Sequence, residues 1–445
     1  MQTVELLSPA GTLKSLRYAF AYGADAVYAG LPRYSLRVRN NEFLAPNLAT
    51  GIAEAHRLGK AFYLAANVLP HNGKVKTFVK DLAPIVALGP DALIMADPGL
   101  ILLARETWPD LAIHLSVQAN TTNYAAVRFW QSVGIRRIIL SRELSLDEIA
   151  EIRQLCPDME LEVFVHGALC IAYSGRCLLS GYFNHRDPNQ GTCTNACRWP
   201  YGLIPARETP EGDLLPSQPL PSREGAAPTE DPGRHPLAEQ VYLLEEPTRP
   251  GELMPVMEDE HGTYILNSKD LRAVEHVQQL VRIGVDCLKI EGRTKSYYYV
   301  ARTAQVYRQA IDGALAGRPF DPHLLGVLEN LAQRGYTDGF YLRHPSQEYQ
   351  NYRRGHSQSH RQQFVGEITG YDPSAGLAEV LVKNKFAVGD RLELILPEGN
   401  RDWVLEHLED LHGNPLPEAP GGGWQVRLPL PLGTDGRYGL IARYL

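Results

Sequence analysis

Short apolar runs alternate with helix-length amphipathic segments from the first strand-like run to about residue 320. Each run is rich in Val, Ile, Leu or aromatic residues, as strands buried on both faces are. The runs are VELLSP, ADAVYAG, AFYLAANV, DALIMAD, AIHLSVQAN, RRIILSREL, LEVFVHG and DCLKIEG. Repeated βα units of this size predict an α/β fold, a (β/α)8 TIM-barrel-like domain. TYILN (263–267) could be a ninth, irregular strand, and 268–284 is predicted to be helical.

A doubly wound open sheet is the competing architecture. No GxGxxG turn follows the first apolar run, which weakens a dinucleotide-binding interpretation. From residue 362 the residue pattern becomes one of short alternating apolar and polar runs broken by Gly, Asp and Pro. This pattern predicts a small C-terminal all-β barrel. The predicted domains are a barrel over 1–335, a linker over 336–361 and a β-barrel over 362–445. Residues 205–250, rich in Pro, Gly and acidic side chains, read as a surface insertion with little core.

Polar residues stand where the predicted barrel strands end, and barrel enzymes place their active sites at that face. These residues are Ser8, Tyr28, Asn67, Asp97, Gln118, Asn120, Ser141, Arg142, His166, Glu291 and Arg293. We expect them to gather at one face of the barrel. Any single one could instead cap a helix or hydrogen-bond a loop.

The composition is that of an ordinary globular protein, with 44% hydrophobic and 21% charged residues among 445. No apolar run reaches the 18 residues of a membrane helix, and the N-terminus has no signal-peptide pattern. We therefore expect a cytoplasmic protein that does not cross a membrane. The net charge of −7 argues against wholesale coating of nucleic acid but leaves room for a local basic patch.

Four of the six cysteines fall in one segment, as Cys170, Cys177, Cys193 and Cys197. Their spacing, C-x6-C-x15-C-x3-C, suits a [4Fe–4S] cluster, whereas structural zinc usually draws on two tight pairs. Zinc and a metal-free segment remain alternatives, and a reducing compartment disfavours disulfides. The segment follows LEVFVHG, so it begins at the predicted active face. A metal bound there could take part in catalysis, or it could only hold a long loop in place. Cys156 and Cys287 are expected to be structural.

The stretch ELEVFVHGALCIAYSGRCLLSGYFNHRDPNQGTCTNACRWPY resembles the signature region of the collagenase-like peptidases, peptidase family U32. Four further segments carry the same likeness: LLSPAGTLKSLRYAFAYGADAVYAGLPRYSLRVR, EDEHGTYILNSKDLRAVEHV, LKIEGRTKSYYYVARTAQVYR and the C-terminal FVGEITG with VKNKFAVGD. Together they are similar to the family's branch of prephenate-dependent tRNA uridine hydroxylases. The likeness covers nearly the whole chain and is weakest over residues 205–250.

This resemblance implies an iron–sulfur enzyme that hydroxylates C5 of the wobble uridine, position 34, of tRNA. The product, 5-hydroxyuridine, is the first step toward 5-carboxymethoxyuridine and 5-methoxyuridine. The resemblance also implies prephenate as co-substrate, the tRNA anticodon loop as partner, and a C-terminal barrel similar to translation-factor domains. Carried over residue by residue, the cluster ligands are Cys170, Cys177, Cys193 and Cys197. Some relatives take a fourth ligand after the NSKDL element, where this chain has Arg272, so the resemblance favours Cys197 as the fourth ligand and leaves its identity open.

Prephenate carries two carboxylates, for which guanidinium groups are natural ligands. The candidate substrate-binding residues are Arg37, Gln118, Arg142, Arg293 and Lys295, and the candidate catalytic residues are His166, Glu291 and Tyr28. In KIEGRTKS, period two would put Glu291, Arg293 and Lys295 on one face if the segment is extended. Each candidate also has a structural alternative. Glu291, Arg293 and Lys295 could form exposed salt bridges, Tyr28 could belong to the core, and His166 could hydrogen-bond within a loop.

The segment YQNYRRGHSQSHRQQ mixes Arg353, Arg354 and Arg361 with Tyr and His side chains, a pattern that suits single-stranded RNA. GIRRIIL adds Arg136 and Arg137. A solvated linker is the alternative. Other functions considered are a collagenase-like peptidase, an iron–sulfur hydroxylase of ribosomal RNA or a quinone precursor, and a non-catalytic, metal-stapled RNA-binding module. The absence of GxSxG and HExxH weakens the peptidase interpretation. The oligomeric state is open.

Overall fold

The computed structural model describes residues 3–36, 42–169, 270–331, 335–342, 362–431 and 436–445, and the backbone of five short strands between residues 206 and 264. The helices are α1 (Leu13–Ala21), α2 (Ala45–Arg57), α3 (Asn72–Val75), α4 (Phe78–Val86), α5 (Pro98–Thr107), α6 (Tyr124–Ser132), α7 (Leu146–Leu155), α8 (Val277–Ile283), α9 (Tyr297–Leu315) and α10 (His323–Glu329).

The strands begin with β1 (Glu5–Pro9), β2 (Ala26–Gly30), β3 (Ala61–Ala66), β4 (Ala92–Met95), β5 (Ala112–Leu115), β6 (Arg137–Ile139) and β7 (Glu160–Ala168). Next come β8 (Ala206–Glu208), β9 (Leu214–Pro216), β10 (Tyr242–Glu245), β11 (Leu253–Asp259), β12 (Gly262–Tyr264), β13 (Asp270–Arg272), β14 (Cys287–Ile290) and β15 (Tyr336–Thr337). The last are β16 (Gln362–Asp372), β17 (Leu377–Val382), β18 (Phe386–Ala387), β19 (Arg391–Ile395), β20 (Arg401–Val404), β21 (Glu418–Ala419), β22 (Gln425–Pro429) and β23 (Leu440–Tyr444).

Eight parallel strands close into a barrel. Each strand from β1 to β7 pairs with the next one, and β14 pairs in parallel with both β7 and β1. The helices that connect these strands pack their apolar faces on the outside of the barrel in one continuous core. The predicted (β/α)8 architecture is therefore confirmed, and the open doubly wound sheet is excluded because the sheet has no free edge between β1 and β14.

Local sequence signals position the helices as expected. Thr12 caps α1 by accepting a hydrogen bond from the Ser15 backbone N–H, and Ser145 forms a capping box with Glu148 at the start of α7. Ser296 caps α9, the long helix that follows β14. A side-chain oxygen at each position satisfies a backbone donor that the helix leaves free, and each cap typically contributes about 1 kcal/mol.

The region after residue 268 differs from the expected helix. β13 pairs antiparallel with the end of β7, with Leu271 opposite Gly167, and a 3-10 turn then leads into α8. β12, which covers part of TYILN, pairs with β11 in a separate sheet and takes no place in the barrel. Three residues are too few for a periodic signal, so the pairing partner and not the local pattern decides that β13 is a strand.

This pairing has a consequence for the long excursion between β7 and β13. The described chain leaves the barrel just after Ala168 and returns at Asp270, which lies directly opposite Ala168 in the ladder. The excursion therefore starts and ends at one place, the carboxyl end of β7.

The C-terminal domain is an antiparallel half-barrel with its own core. Six strands lie in the order β20-β19-β23-β16-β17-β22, and β18 pairs with β21 beside them. β17 alternates half-buried and buried positions along its whole length, the pattern of a strand with one face on a core. The predicted all-β C-terminal domain is confirmed. The exact domain boundaries stay predictions because residues 343–361 lie outside the described part of the chain.

Buried polar contacts join the half-barrel to helices α1 and α9. Arg302 forms a bidentate ion pair with Glu393, with Nη2 3.0 Å from Oε2 and Nη1 3.3 Å from Oε1. The Tyr22 hydroxyl lies 2.8 Å from the carbonyl oxygen of Ile395 and 2.9 Å from that of Tyr438. Ile395 also packs in the core of the barrel domain, so the two domains share apolar contacts. No helix in the described ranges is long and apolar enough to span a bilayer.

Candidate functional site at the barrel mouth

A small cavity of about 60 Å³ lies at the mouth of the barrel, the face formed by the carboxyl ends of its strands. It is lined by Tyr28, Leu36, Ala65, Asn67, Ile94, Ser116, Val117, Gln118, Ile139, Arg142, Phe164, Lys289, Glu291 and Arg293. We call this the mouth cavity. Among the residues predicted for the site, Tyr28, Gln118, Arg142, Glu291 and Arg293 meet here, as the strand-end argument expects.

Arg142, just after β6, is held on three sides. Its Nη1 donates to the carbonyl oxygen of Ala168 at 2.6 Å, and its Nη2 donates to Oε2 of Glu291 at 2.8 Å. The guanidinium lies 3.8 Å from the centroid of the Phe164 ring. Its side chain is only 8% exposed, so water screens the ion pair with Glu291 weakly. Arg142 therefore ties the ends of β6, β7 and β14 into one fixed arrangement.

Arg293 forms the opposite side of the cavity. Its Nη1 donates to Ser35 Oγ at 2.8 Å, and its Nη2 donates to the carbonyl oxygen of Leu36. The Leu36 backbone N–H donates to Asn67 Oδ1 at 3.2 Å, which links this loop to the end of β3. Arg293 thus anchors the chain immediately before Arg37, which itself lies outside the described residues.

Lys295 does not share a face with Glu291 and Arg293. The chain turns after Gly292, where the Lys295 N–H donates to the Gly292 carbonyl oxygen at 2.9 Å, so the segment is not extended. The Lys295 ammonium lies 5.4 Å from the centroid of the Tyr299 ring, and Lys295 is not among the residues that line the mouth cavity. The period-two arrangement required an extended chain, and the turn at Gly292 removes that condition.

Tyr28 belongs to the core and also borders the mouth cavity, and its predicted catalytic role stays a prediction. Its side chain is buried, and its hydroxyl donates to the carbonyl oxygen of Ile290 at 3.0 Å. Its ring also borders the mouth cavity and carries the Lys289 ammonium 4.2 Å from its centroid. Its ring face is therefore occupied by a cation, which leaves less room for stacking on a base.

His166 lies among tyrosine rings and does not line the mouth cavity. Its side chain is 1% exposed, and the Tyr307 hydroxyl lies 3.3 Å from its Nδ1. The rings of Tyr299 and Tyr336 pack at centroid distances of 5.8 and 5.4 Å. Burial lowers the pKa of His166 to about 3, so the imidazole is neutral at physiological pH. Its predicted role in proton transfer stays a prediction.

Replacing His166 by phenylalanine should flatten the acid side of the pH–stability profile. The unfolded histidine takes up a proton near its usual pKa of 6.5, but the folded one does so only near pH 3. Protons therefore favour the unfolded chain as the pH falls from 6.5 toward 3, and the variant lacks this loss. Tyr307 keeps its hydrogen bond to the Val165 carbonyl oxygen at 2.6 Å. Urea unfolding at several pH values measures the difference, and parallel profiles would contradict it.

Gly167 holds the end of β7 against Glu291. Its φ is +104°, and a Cβ there would lie 2.6 Å from the Glu291 carbonyl oxygen and 2.8 Å from the Glu291 Cβ. Only glycine meets both conditions without movement of the backbone. The site's geometry therefore depends on this residue, although it carries no side chain.

Gly167→Ala is expected to reduce stability by about 1–3 kcal/mol and to displace Glu291 from Arg142. Thermal unfolding and activity measure the two effects. Gly326→Ala is the matched control, because a Cβ at this position in α10 meets nothing within 4 Å. That change should leave activity intact and, as a glycine-to-alanine change inside a helix, stabilise by about 0.5–1 kcal/mol. Equal behaviour of the two variants would contradict the argument.

A buried ionic cluster below the mouth cavity was missed by sequence reasoning. Lys289 lies 2.8 Å from Glu162, and Arg137 lies 2.6 Å from Glu5 and 3.5 Å from Glu162. The Tyr63 hydroxyl donates to Glu5 at 2.7 Å. The sequence did contain a signal for this cluster, namely a charged residue within an otherwise apolar strand. Glu162 in ELEVFV and Lys289 in CLKIEG are such residues. Arg137 is 7% exposed inside the barrel, so its interpretation as a surface contact for RNA is wrong.

Other strand-end residues have structural roles. Asp97 caps α5, where its Oδ1 accepts from the Leu100 N–H at 2.8 Å, and Ser141 donates to Glu143. The Asn67 amide donates to Ser116 Oγ at 3.3 Å and supports the wall of the mouth cavity. The capping alternative considered for such residues therefore applies to Asp97.

Several predicted residues lie outside the described part of the chain: Arg37, Cys170, Cys177, Cys193, Cys197, Arg353, Arg354 and Arg361. Within the described ranges, no group of three or more His, Cys, Asp or Glu side chains is placed to hold a metal ion. Cys156 and Cys287 are buried free thiols. Arg142, which lines the mouth cavity, binds the carbonyl oxygen of Ala168, so the described chain ends close to the cavity at Leu169, one residue before Cys170.

Comparison with known proteins gives one consistent family. A sequence model of peptidase family U32 matches residues 11–351, and one of the family's C-terminal domain matches residues 360–443. The chain is 62% identical over 440 residues to "tRNA hydroxylation protein P" of Escherichia coli K12, covering 99% of this chain and 96% of that protein. It is 59% identical over 444 residues to the Haemophilus influenzae protein of the same name, with 99% and 96% covered.

A more distant relative is named for an activity on ribosomal RNA. The chain is 30% identical over 369 residues to the "23S rRNA 5-hydroxycytidine C2501 synthase" of E. coli K12, covering 83% of this chain and 47% of that protein. The family models together span both domains of the fold described above. The chain therefore belongs to peptidase family U32.

Proposed function

We propose that this chain is an enzyme that hydroxylates C5 of the wobble uridine of tRNA, position 34, in a prephenate-dependent reaction that yields 5-hydroxyuridine. The observation that carries the proposal is identity of 62% and 59% over almost the full length to two proteins named for tRNA hydroxylation. Identity to the ribosomal RNA enzyme is 30% and covers 47% of that protein, which favours tRNA as the substrate.

The charges of the mouth cavity support an organic dianion as co-substrate. Arg142, Arg293 and Lys289 line the cavity, and Glu291 is the carboxylate that lines it with them. Guanidinium groups bind carboxylates with paired hydrogen bonds, and Arg142 and Arg293 occupy opposite sides. Prephenate carries two carboxylates, so its charge matches this excess of cations.

The chain's own residues divide the remaining work. Arg142 and Arg293 bind and orient the co-substrate, and Gln118, which lines the cavity, can donate its amide N–H to a carbonyl oxygen. C5 gains its C–O bond from an oxygen-atom donor that is reduced by two electrons in the same step. The C5 hydrogen then leaves as a proton, and Glu291 is the base that the cavity offers for it. The ion pair with Arg142, 2.8 Å away, fixes the direction of this carboxylate.

A [4Fe–4S] cluster fits the donor set of the cysteine segment, since four thiols are the usual ligands of such a cluster. Cys170, Cys177, Cys193 and Cys197 would hold it, and a bound cluster would supply one-electron transfer. Protein purified without oxygen should contain about four irons and four sulfides per chain, and Cys193→Ala should lose them. One zinc without sulfide would contradict the cluster and leave a structural clip.

Complementation tests the proposed function. In a bacterium whose own tRNA hydroxylation genes are deleted, this chain should restore 5-hydroxyuridine derivatives in tRNA, as measured by nucleoside mass spectrometry. Cys193→Ala should fail to restore them, whereas Cys156→Ala, at a buried thiol outside the segment, should succeed. Restored hydroxycytidine in 23S rRNA with unchanged tRNA would favour the ribosomal alternative instead.

A further inference from the structure

Lys289 is a buried cation with spare hydrogen-bond donors. It is 2% exposed in the middle of β14, where its ammonium donates to Glu162 Oε1 at 2.8 Å. An ammonium has three N–H donors, and within the described ranges the other two have no oxygen or nitrogen acceptor. Its remaining neighbours are the ring of Tyr28 at 4.2 Å and the ring of Phe164 at 5.5 Å.

The single partner of Lys289 is itself shared. Glu162 is fully buried, and its Oε2 lies 3.5 Å from Nη1 of Arg137, so one carboxylate faces two cations. Lys289 also lines the mouth cavity, whereas Glu162 does not. The side of the ammonium that Glu162 does not occupy therefore borders the mouth cavity and the Tyr28 ring.

We propose that Lys289 is the floor of a carboxylate subsite in the mouth cavity, which binds one end of an organic dicarboxylate whose other end contacts Arg142 or Arg293. The inference rests on the proposed function for the identity of that dicarboxylate, prephenate. Lys289 would thus be an additional binding residue. It was not among the strand-end candidates because it lies within β14.

The size of the cavity agrees with such a subsite. A volume of about 60 Å³ exceeds what a single water needs, so a carboxylate can be accommodated beside Lys289. The carboxylate would replace water on the two spare N–H donors, while the rest of the molecule lies above, between the arginines. Tyr28 and Phe164 keep water from screening the contact, which strengthens it.

Calorimetric binding of prephenate to anaerobically purified full-length protein tests the subsite. Loss of at least one charge-assisted hydrogen bond predicts binding at least about 10-fold weaker in Lys289→Met. Glu162→Gln is the discriminating variant: it frees Lys289 from its carboxylate, so the affinity should be unchanged or higher. A purely structural ion pair would instead weaken binding in both variants. Lys60→Met, at a lysine that pairs with Asp25 before the amino end of β3, should bind as the wild type does.

Because Lys289→Met leaves Glu162 without its lysine, the double variant Lys289→Met/Glu162→Gln is measured beside it, with thermal unfolding to show that each protein is folded. Glutarate serves as a second probe. Unchanged affinity in a folded Lys289 variant overturns the inference, as does a wild type that binds neither prephenate nor glutarate. Lys289-dependent binding of glutarate without binding of prephenate would support the subsite and contradict prephenate in the proposed function.

Discussion

Arg142→Met is expected to lower kcat/KM for tRNA hydroxylation by about 100-fold or more, since two charge-assisted hydrogen bonds together contribute about 3 kcal/mol. The change removes the donors to Glu291 and to the Ala168 carbonyl oxygen, and it leaves a carboxylate that is 12% exposed without its cation. It also removes one side of the proposed co-substrate clamp. Steady-state kinetics with purified tRNA and varied prephenate measure the loss.

The kinetic pattern separates binding from positioning. Arg142→Lys keeps the charge but not the two-pronged geometry, so it should recover part of kcat and leave KM for prephenate raised. Arg128→Met is the control: this arginine on α6 contacts the carbonyl oxygen of Leu155, away from the mouth. Wild-type kinetics in a folded Arg142→Met protein would show that the mouth cavity is not the site.

Arg302→Met is expected to destabilise the protein by about 3–5 kcal/mol, the usual result of leaving one partner of a buried ion pair alone. Arg302 is 1% exposed and holds Glu393 of the half-barrel in a bidentate pair. Glu393 also accepts from Gln362 at 2.8 Å and Asn400 at 2.7 Å, so its carboxylate is fixed in place and cannot turn to water. Unfolding in urea, followed by fluorescence, measures the change.

Two further variants test the cause. Arg302→Met/Glu393→Gln removes both charges, so it should recover much of the lost stability. Arg391→Met removes an exposed partner of Asp402 on the same domain and should change little, because the side chain of Arg391 is 64% exposed. If Arg302→Met and Arg391→Met unfold alike, the buried pair does not hold the domains together.

The barrel could be predicted because each of its strands is an apolar run that both faces bury. DALIMAD and LEVFVHG carry this signal without help from the rest of the chain. β13 could not be predicted, because its three residues become a strand through pairing with β7. The turn after β14 was not predicted either. Glycine at 292 allows the φ of 143° that directs Lys295 away from the mouth, and period-two reasoning assumes a straight strand.

Candidate-site residues that follow the barrel strands could be predicted from the sequence, whereas those within the strands could not. Arg142 and Arg293 follow their strands directly, so position alone placed them at the mouth. Lys289 and Glu162 lie within strands, where an apolar side chain is the ordinary expectation. Each is acceptable there because opposite charge lies beside it: Glu162 beside Lys289, and Lys289 and Arg137 beside Glu162. The cysteines lie outside the described residues, and their role as cluster ligands remains a proposal.

The most direct test of the central claim is hydroxylation in a defined reaction. Anaerobically purified protein is mixed with tRNA that lacks the modification, with and without prephenate and with dissolved dioxygen admitted as oxygen donor, and the digested nucleosides are analysed by mass spectrometry. The account predicts one added oxygen atom at uridine 34 that requires prephenate and is lost in Arg142→Met. Unmodified uridine 34 from protein that carries a full complement of iron and sulfide would contradict it.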